Sequence, residues 1–205
     1  MLTRRTFLLL TGALGAAMTM PRLAAVALAD ETDAAAAFVR QTAEQLVAVV
    51  NGGASLPEKR QQMQKIINAT VDVDGVARFC LGQFWNRATP EQQKTYTALF
   101  HTVLLNNITG NLGEYRGVTF EMGRAQRRAD GYVVSSMVTR PNNPPAKVEW
   151  IIGGEPGALR IVDVVAEGTS LRLTQRSDYA SFIVRSGNSV QALIDAMKQQ
   201  VAQAT

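Results

Sequence analysis

The sequence predicts an α+β fold in which helices cover one face of a curved antiparallel sheet of about four strands. Three observations carry that prediction. Apolar residues recur at intervals of three and four as far as residue 112, the pattern changes to strict alternation at Val118, and Gly/Pro/Asn/Asp clusters separate the alternating runs.

The first helix is expected from a cap at Asp33, with Phe38, Thr42, Leu46 and Val49 on one side and Gly52-Gly53 closing it. Ser55-Leu56-Pro57-Glu58 fits a capping box and starts a second helix reaching about residue 68. A third, over residues 73–85, spaces Val76, Phe79, Cys80 and Phe84 helically. Thr89-Pro90-Glu91-Gln92 supplies an N-cap, a proline at the first helical position and a capping-box glutamine. The long helix that follows carries a stripe of Tyr96, Leu99, Phe100, Val103, Leu104, Ile108 and Leu112.

After Gly117, Val118, Phe120 and Met122 alternate with polar neighbours, and Asp130-Gly131 marks a hairpin turn into residues 132–140. Pro141-Asn142-Asn143-Pro144-Pro145 and the Gly-rich stretch 153–157 then separate strands 147–152 and 159–165, which completes a four-stranded meander. Ser177 is placed as the cap of a short helix to about residue 185. Residues 188–191 open a last helix that turns Val190, Leu193, Ile194, Met197 and Val201 inward.

The 205 residues suffice for one domain with a real core. The formal charge is +4, but Arg4, Arg5 and Arg22 precede the first acid, Asp30, and without them the balance is +1. So small an excess gives no net-charge case for nucleic-acid binding. Arg4-Arg5, the apolar run 7–20 and Ala27-Leu28-Ala29 form an export signal over residues 1–29, with a twin-arginine character that leaves the export route open. Residues 30–205 are the expected mature domain, working in the periplasm. Cys80 is the sole cysteine and His101 the sole histidine, which excludes an internal disulfide and a cysteine-cluster metal site. Cys80, among apolar neighbours, is expected to be buried and inert. No cofactor is called for.

Two stretches are more specific than any pattern. Residues 81–92, Leu-Gly-Gln-Phe-Trp-Asn-Arg-Ala-Thr-Pro-Glu-Gln, followed by Tyr96 and Leu99-Phe100, resemble the signature of the MlaC (toluene-tolerance) family. Residues 162–171, which hold Asp163, Glu167-Gly168 and Ser170, are similar to that family's Asp-x-x-x-Glu-Gly-x-Ser strand end, and Arg185-Ser186-Gly187 is a weaker third match. The resemblance implies an NTF2-like sheet, a helical subdomain and an apolar pocket for phospholipid acyl chains. It further implies shuttling between an inner-membrane ABC transporter complex and an outer-membrane lipoprotein complex, with transient membrane contact and a monomeric carrier. A hopanoid-associated branch keeps the same motifs, so phospholipid and hopanoid both stay open as cargo.

Two chains of about 16 carbons, at about 0.8 kcal/mol per methylene, amount to on the order of 25 kcal/mol of unfavourable exposure in water. Candidate residues to cover them are Phe84, Trp85, Tyr96, Phe100, Val103, Leu104 and Ile108 on the helices. Phe120, Met122, Val148, Trp150 and Ile152 are the candidates on the sheet. Each is as readily explained as core. An enzymatic alternative uses Asp163 and Glu167 as an acid–base pair on a cleft. Against it, Glu167 is expected to satisfy backbone donors at a turn that Gly168 bends. A pure adaptor is the third reading, with a well-packed interior and no cargo.

Overall fold

The computed structural model describes residues 22–110, 112–155 and 157–204, with side chains from residue 31 onward. Helix α1 (Arg22–Asn51) is followed by α2 (Leu56–Thr70), α3 (Val73–Leu81), a 3-10 helix Gly82–Arg87 and α4 (Pro90–Gly110). A short 3-10 turn, Leu112–Tyr115, leads into the sheet: β1 (Thr119–Arg128), β2 (Gly131–Thr139), β3 (Ala146–Gly153), β4 (Arg160–Ala166) and β5 (Thr169–Ser170). Helices α5 (Leu171–Arg185) and α6 (Val190–Gln203) close the chain.

The caps explain most of these boundaries. Glu58 accepts hydrogen bonds from Ser55 N at 2.8 Å and Ser55 Oγ at 2.7 Å, which lowers its pKa and fixes the start of α2. Thr89 and Gln92 exchange backbone-to-side-chain bonds of 3.0 and 3.2 Å at the start of α4.

Three expectations need correction. Helix α1 starts at Arg22 rather than Asp33, so it spans the expected processing point after Ala29; the apolar run 7–20 lies outside the described residues. The helix expected over 73–85 stops at Leu81 and tightens to 3-10 geometry, because Gly82 takes φ +56° and ψ −129°. Helix α5 begins two turns before Ser177: Ser170 Oγ accepts from Leu173 N at 3.2 Å and is the true cap.

The sheet is antiparallel throughout in the order β1-β2-β3-β4-β5, the expected meander with a two-residue fifth strand added. Register shifts between Met122 and Ala125 on β1, and opposite Ile151/Ile152 on β4, mark bulges that bend the strands and curve the sheet. At the first, Ser135 Oγ accepts from Arg124 N at 2.8 Å and donates to Arg124 O at 3.0 Å, holding the extra residue in place.

Gly82 does more than end a helix. A Cβ there would lie 3.0 Å from Arg176 Nε, and the Arg176 guanidinium, 4.9 Å from the Phe79 ring centroid, helps clamp α5 onto α3. The Gly82→Ala variant is therefore expected to lose about 1–3 kcal/mol in urea unfolding, from backbone strain alone. A loss near zero would show that the turn relaxes freely.

Candidate functional site

The interior is divided. One core joins α2, α3, α4, α5 and α6 to the last turns of α1, through residues such as Val49, Met63, Leu81, Phe84, Phe100 and Ile194. A second core sets Ala35 and Val39 of α1 against Tyr132, Val134, Ile152, Leu159 and Ile161 of the sheet region. Helix α1 belongs to both. Between its two contact zones Thr42 and Ala43 are buried but join neither core.

The sheet shows the same division. By strand pairing, the helix-facing side is a grid of rungs. Ala125, Val134, Trp150 and Val164 form one; Met122, Ser136, Val148 and Ala166 the next; Phe120, Val138 and Ala146 the third. The first rung packs into the sheet-side core, whereas Val138 packs against the helical one. Phe120 and Val148 are half-buried and belong to neither core. They mark an apolar strip along the seam where the two cores meet.

The twelve candidate residues fall into separate groups. Phe84, Tyr96, Phe100 and Val103 are buried in the helical core, with Trp85 and Leu104 partly buried against it. Tyr96 and Phe100 pack with Tyr179, ring centroids 6.0–6.4 Å apart, and Tyr96 donates to Ala77 O at 2.9 Å. Burial raises the Tyr96 and Tyr179 pKa values, as expected of hydroxyls that stay neutral in a packed interior. Ile108 is 37% exposed near the end of α4. Met122, Trp150 and Ile152 join the sheet-side core, and only Phe120 and Val148 lie on the free strip. Ser136, absent from the candidates, sits in the middle rung at 2% exposure and accepts the Trp150 indole N–H at 3.0 Å.

Asp163 and Glu167 are not brought together as an acid–base pair. Asp163 is 7% exposed and accepts from Ser170 Oγ at 2.5 Å, Val164 N at 2.8 Å and Arg172 N at 3.1 Å. Arg172 Nε adds an ion-pair contact at 3.4 Å. Both oxygens are thus spent on tying β4 to the start of α5. Glu167 is exposed on the β4–β5 turn, at φ +49°, and its carboxylate accepts Lys147 N. That is the backbone role the sequence suggested.

Cys80 is 1% exposed, with its pKa pushed up to about 12, by burial first and then by the Asp163 carboxylate. A neutral-pH thiol reagent is therefore expected to leave the native protein unlabelled over an hour and to label it stoichiometrically in urea. Labelling of the folded protein would overturn the buried assignment. Among the described residues no cluster of His, Cys, Asp and Glu could hold a metal, and no helix is long and apolar enough to cross a membrane.

Two open clefts are found elsewhere. One of about 430 Å³ lies between α5 and α6, near Asp178, Phe182, Arg185 and Met197. One of about 600 Å³ runs along α4 beside Trp85, Pro90, Lys94 and His101. Neither lies between sheet and helices.

Comparison with known proteins bears on the same elements. The family model described as MlaC protein matches residues 40–199. Toluene tolerance protein ttg2D of Pseudomonas putida is 26% identical over 147 residues, covering 69% of this chain and 67% of that protein. A solved structure of a phospholipid-binding protein from Ralstonia solanacearum, in complex with a phospholipid, matches with a TM-score of 0.71 and 25% identity, over 82% of this chain and 97% of its own. The family match runs from the middle of α1 through the whole sheet and most of α6, and so takes in the helical core, the sheet's share of the second core and the strip between them: the chain belongs to the MlaC family.

Proposed function

We propose that the chain is a periplasmic phospholipid carrier that takes acyl chains along the seam between its two cores. The single observation that carries the reading is the half-buried apolar strip of Phe120 and Val148, flanked by Met122 and Val138, which neither core claims. A single well-packed interior would leave no such strip. Two cores joined through α1, and at Val71, which packs against both and bridges to Ile161, can part at the Phe120–Val148 end without either being dismantled. Parting exposes apolar surface that only an apolar ligand covers favourably. The phospholipid in the Ralstonia solanacearum structure supports phospholipid as the cargo. The commitment of Asp163 and Glu167 to backbone groups favours carriage over acid–base catalysis.

In this reading the leader directs export and is removed near Ala29. The mature chain works as a monomer that touches membranes transiently, loading and unloading at an inner-membrane ABC transporter complex and an outer-membrane lipoprotein complex. That traffic maintains outer-membrane lipid asymmetry.

The deciding experiment is native mass spectrometry of the protein, expressed with its leader and purified without detergent, with extraction and identification of bound lipid. One phospholipid per chain is the expected result. A hopanoid would keep the carrier and change the cargo, and a consistently empty protein would count against carriage.

A further inference from the structure

The described residues include five buried polar or charged side chains: Thr42, Thr70, Thr109, Ser136 and Asp163. The three threonines return their hydroxyls to carbonyls four residues back, at 2.8–2.9 Å. Asp163 is saturated, as described above. Ser136 differs. Its oxygen accepts the Trp150 indole N–H at 3.0 Å, but its own hydroxyl reaches only Val148 O, at 3.5 Å. Hydroxyl donors prefer roughly 2.7–2.8 Å, so this proton is poorly used. A buried donor in that state draws an acceptor whenever one is supplied.

Its position gives that proton a use. Ser136 occupies the middle rung of the strip, between Met122 and Val148 in register, where every other helix-facing member of the two rungs nearest the seam is apolar. Trp150 fixes the oxygen from one side, which leaves the hydroxyl hydrogen free to turn. A ligand lying along the strip therefore meets one oriented donor on an apolar face. Pure hydrocarbon has no use for it. An acyl ester offers a carbonyl acceptor at the point where chain meets glycerol.

We propose that Ser136, positioned by Trp150, donates a hydrogen bond to an acyl ester carbonyl of the cargo, so that this protein selects ester-linked diacyl lipids. The inference rests on the carrier reading above and adds a chemical class to it.

The test is competition between two phospholipids of the same headgroup and chain length, one diacyl and one dialkyl ether. Both are presented in equal amount in vesicles, and the bound ratio is read by mass spectrometry after the protein is separated. The natural protein is expected to favour the diester by about five- to tenfold. Ser136→Ala is expected to bring the ratio close to one. Ser136→Cys keeps the side-chain shape with a somewhat larger atom, replaces the hydroxyl with a weak donor and covers the case in which alanine loosens the sheet. It too is expected near one. A ratio near one in the natural protein, or an unchanged preference in both variants, overturns the role of Ser136 and leaves carriage standing. A natural protein that takes up neither lipid overturns both.

Discussion

Asp163→Ala is expected to destabilise the protein by about 3–5 kcal/mol, the usual consequence of removing one partner from a buried ion pair. The Asp163 side chain is 4% exposed and that of Arg172 31%. Its loss strands the Ser170 hydroxyl, the amides of Val164 and Arg172, and the Arg172 guanidinium together. Ser170 is the N-cap of α5, and Arg172 also lies 4.4 Å from the Phe79 ring centroid on α3. The damage would therefore pass from the strand end to the α3–α5 packing. Asp163→Asn, which keeps an acceptor and loses the charge, is expected to fall between the natural protein and alanine. Urea unfolding measures both. An alanine variant within about 1 kcal/mol of the natural protein would show that this carboxylate is not a structural pin, and would reopen a chemical role for it.

Asp163 also shows how far the sequence could be followed. Asp-x-x-x-Glu-Gly-x-Ser marked the right residues, and the turn role of Glu167 followed from Gly168 beside it. The partners of Asp163 did not follow, because Ser170 looked like the end of a strand. Leu171 and Leu173, at 53% and 56% exposure, break the amphipathic pattern that would have announced a helix at Ser170. The sequence pattern therefore points to the next plausible cap, Ser177, for the start of α5. The three-and-four spacing on α4 predicts one continuous face. In the fold Tyr96, Phe100 and Val103 point into the helical core while Ile108 drifts outward, as a straight helix carries a three-and-four pattern around its axis.

The sheet was more legible. Alternation put Phe120, Met122, Val148, Trp150 and Ile152 on one side, where they are found. The partition of that side into two cores was hidden, since periodicity says that a residue faces inward and not which helix covers it. One signal was available. Tyr132, Val134 and Val138 are the apolar inward positions of β2, and a serine stands among them at Ser136. A polar residue at an inward position is the informative exception.

The strip itself yields the sharpest functional contrast. Val148→Asp is expected to reduce co-purifying lipid to below about a tenth of the natural level, because acyl chains laid over the strip would have to bury an ionised carboxylate with no partner. Val148 is half-buried and outside both cores. The empty protein can therefore leave the new side chain wetted, at a stability loss of about 1 kcal/mol in urea unfolding. Met137, the next-but-one neighbour of Ser135 along β2, is 39% exposed and alternates to the opposite side of the sheet from the strip. Met137→Asp supplies the same charge on the wrong face and is expected to leave lipid loading unchanged. If both variants lose lipid equally, the effect is general and the seam is not the site. If Val148→Asp keeps its lipid, the chains lie elsewhere, and the apolar cleft along α4 beside Trp85 becomes the place to look.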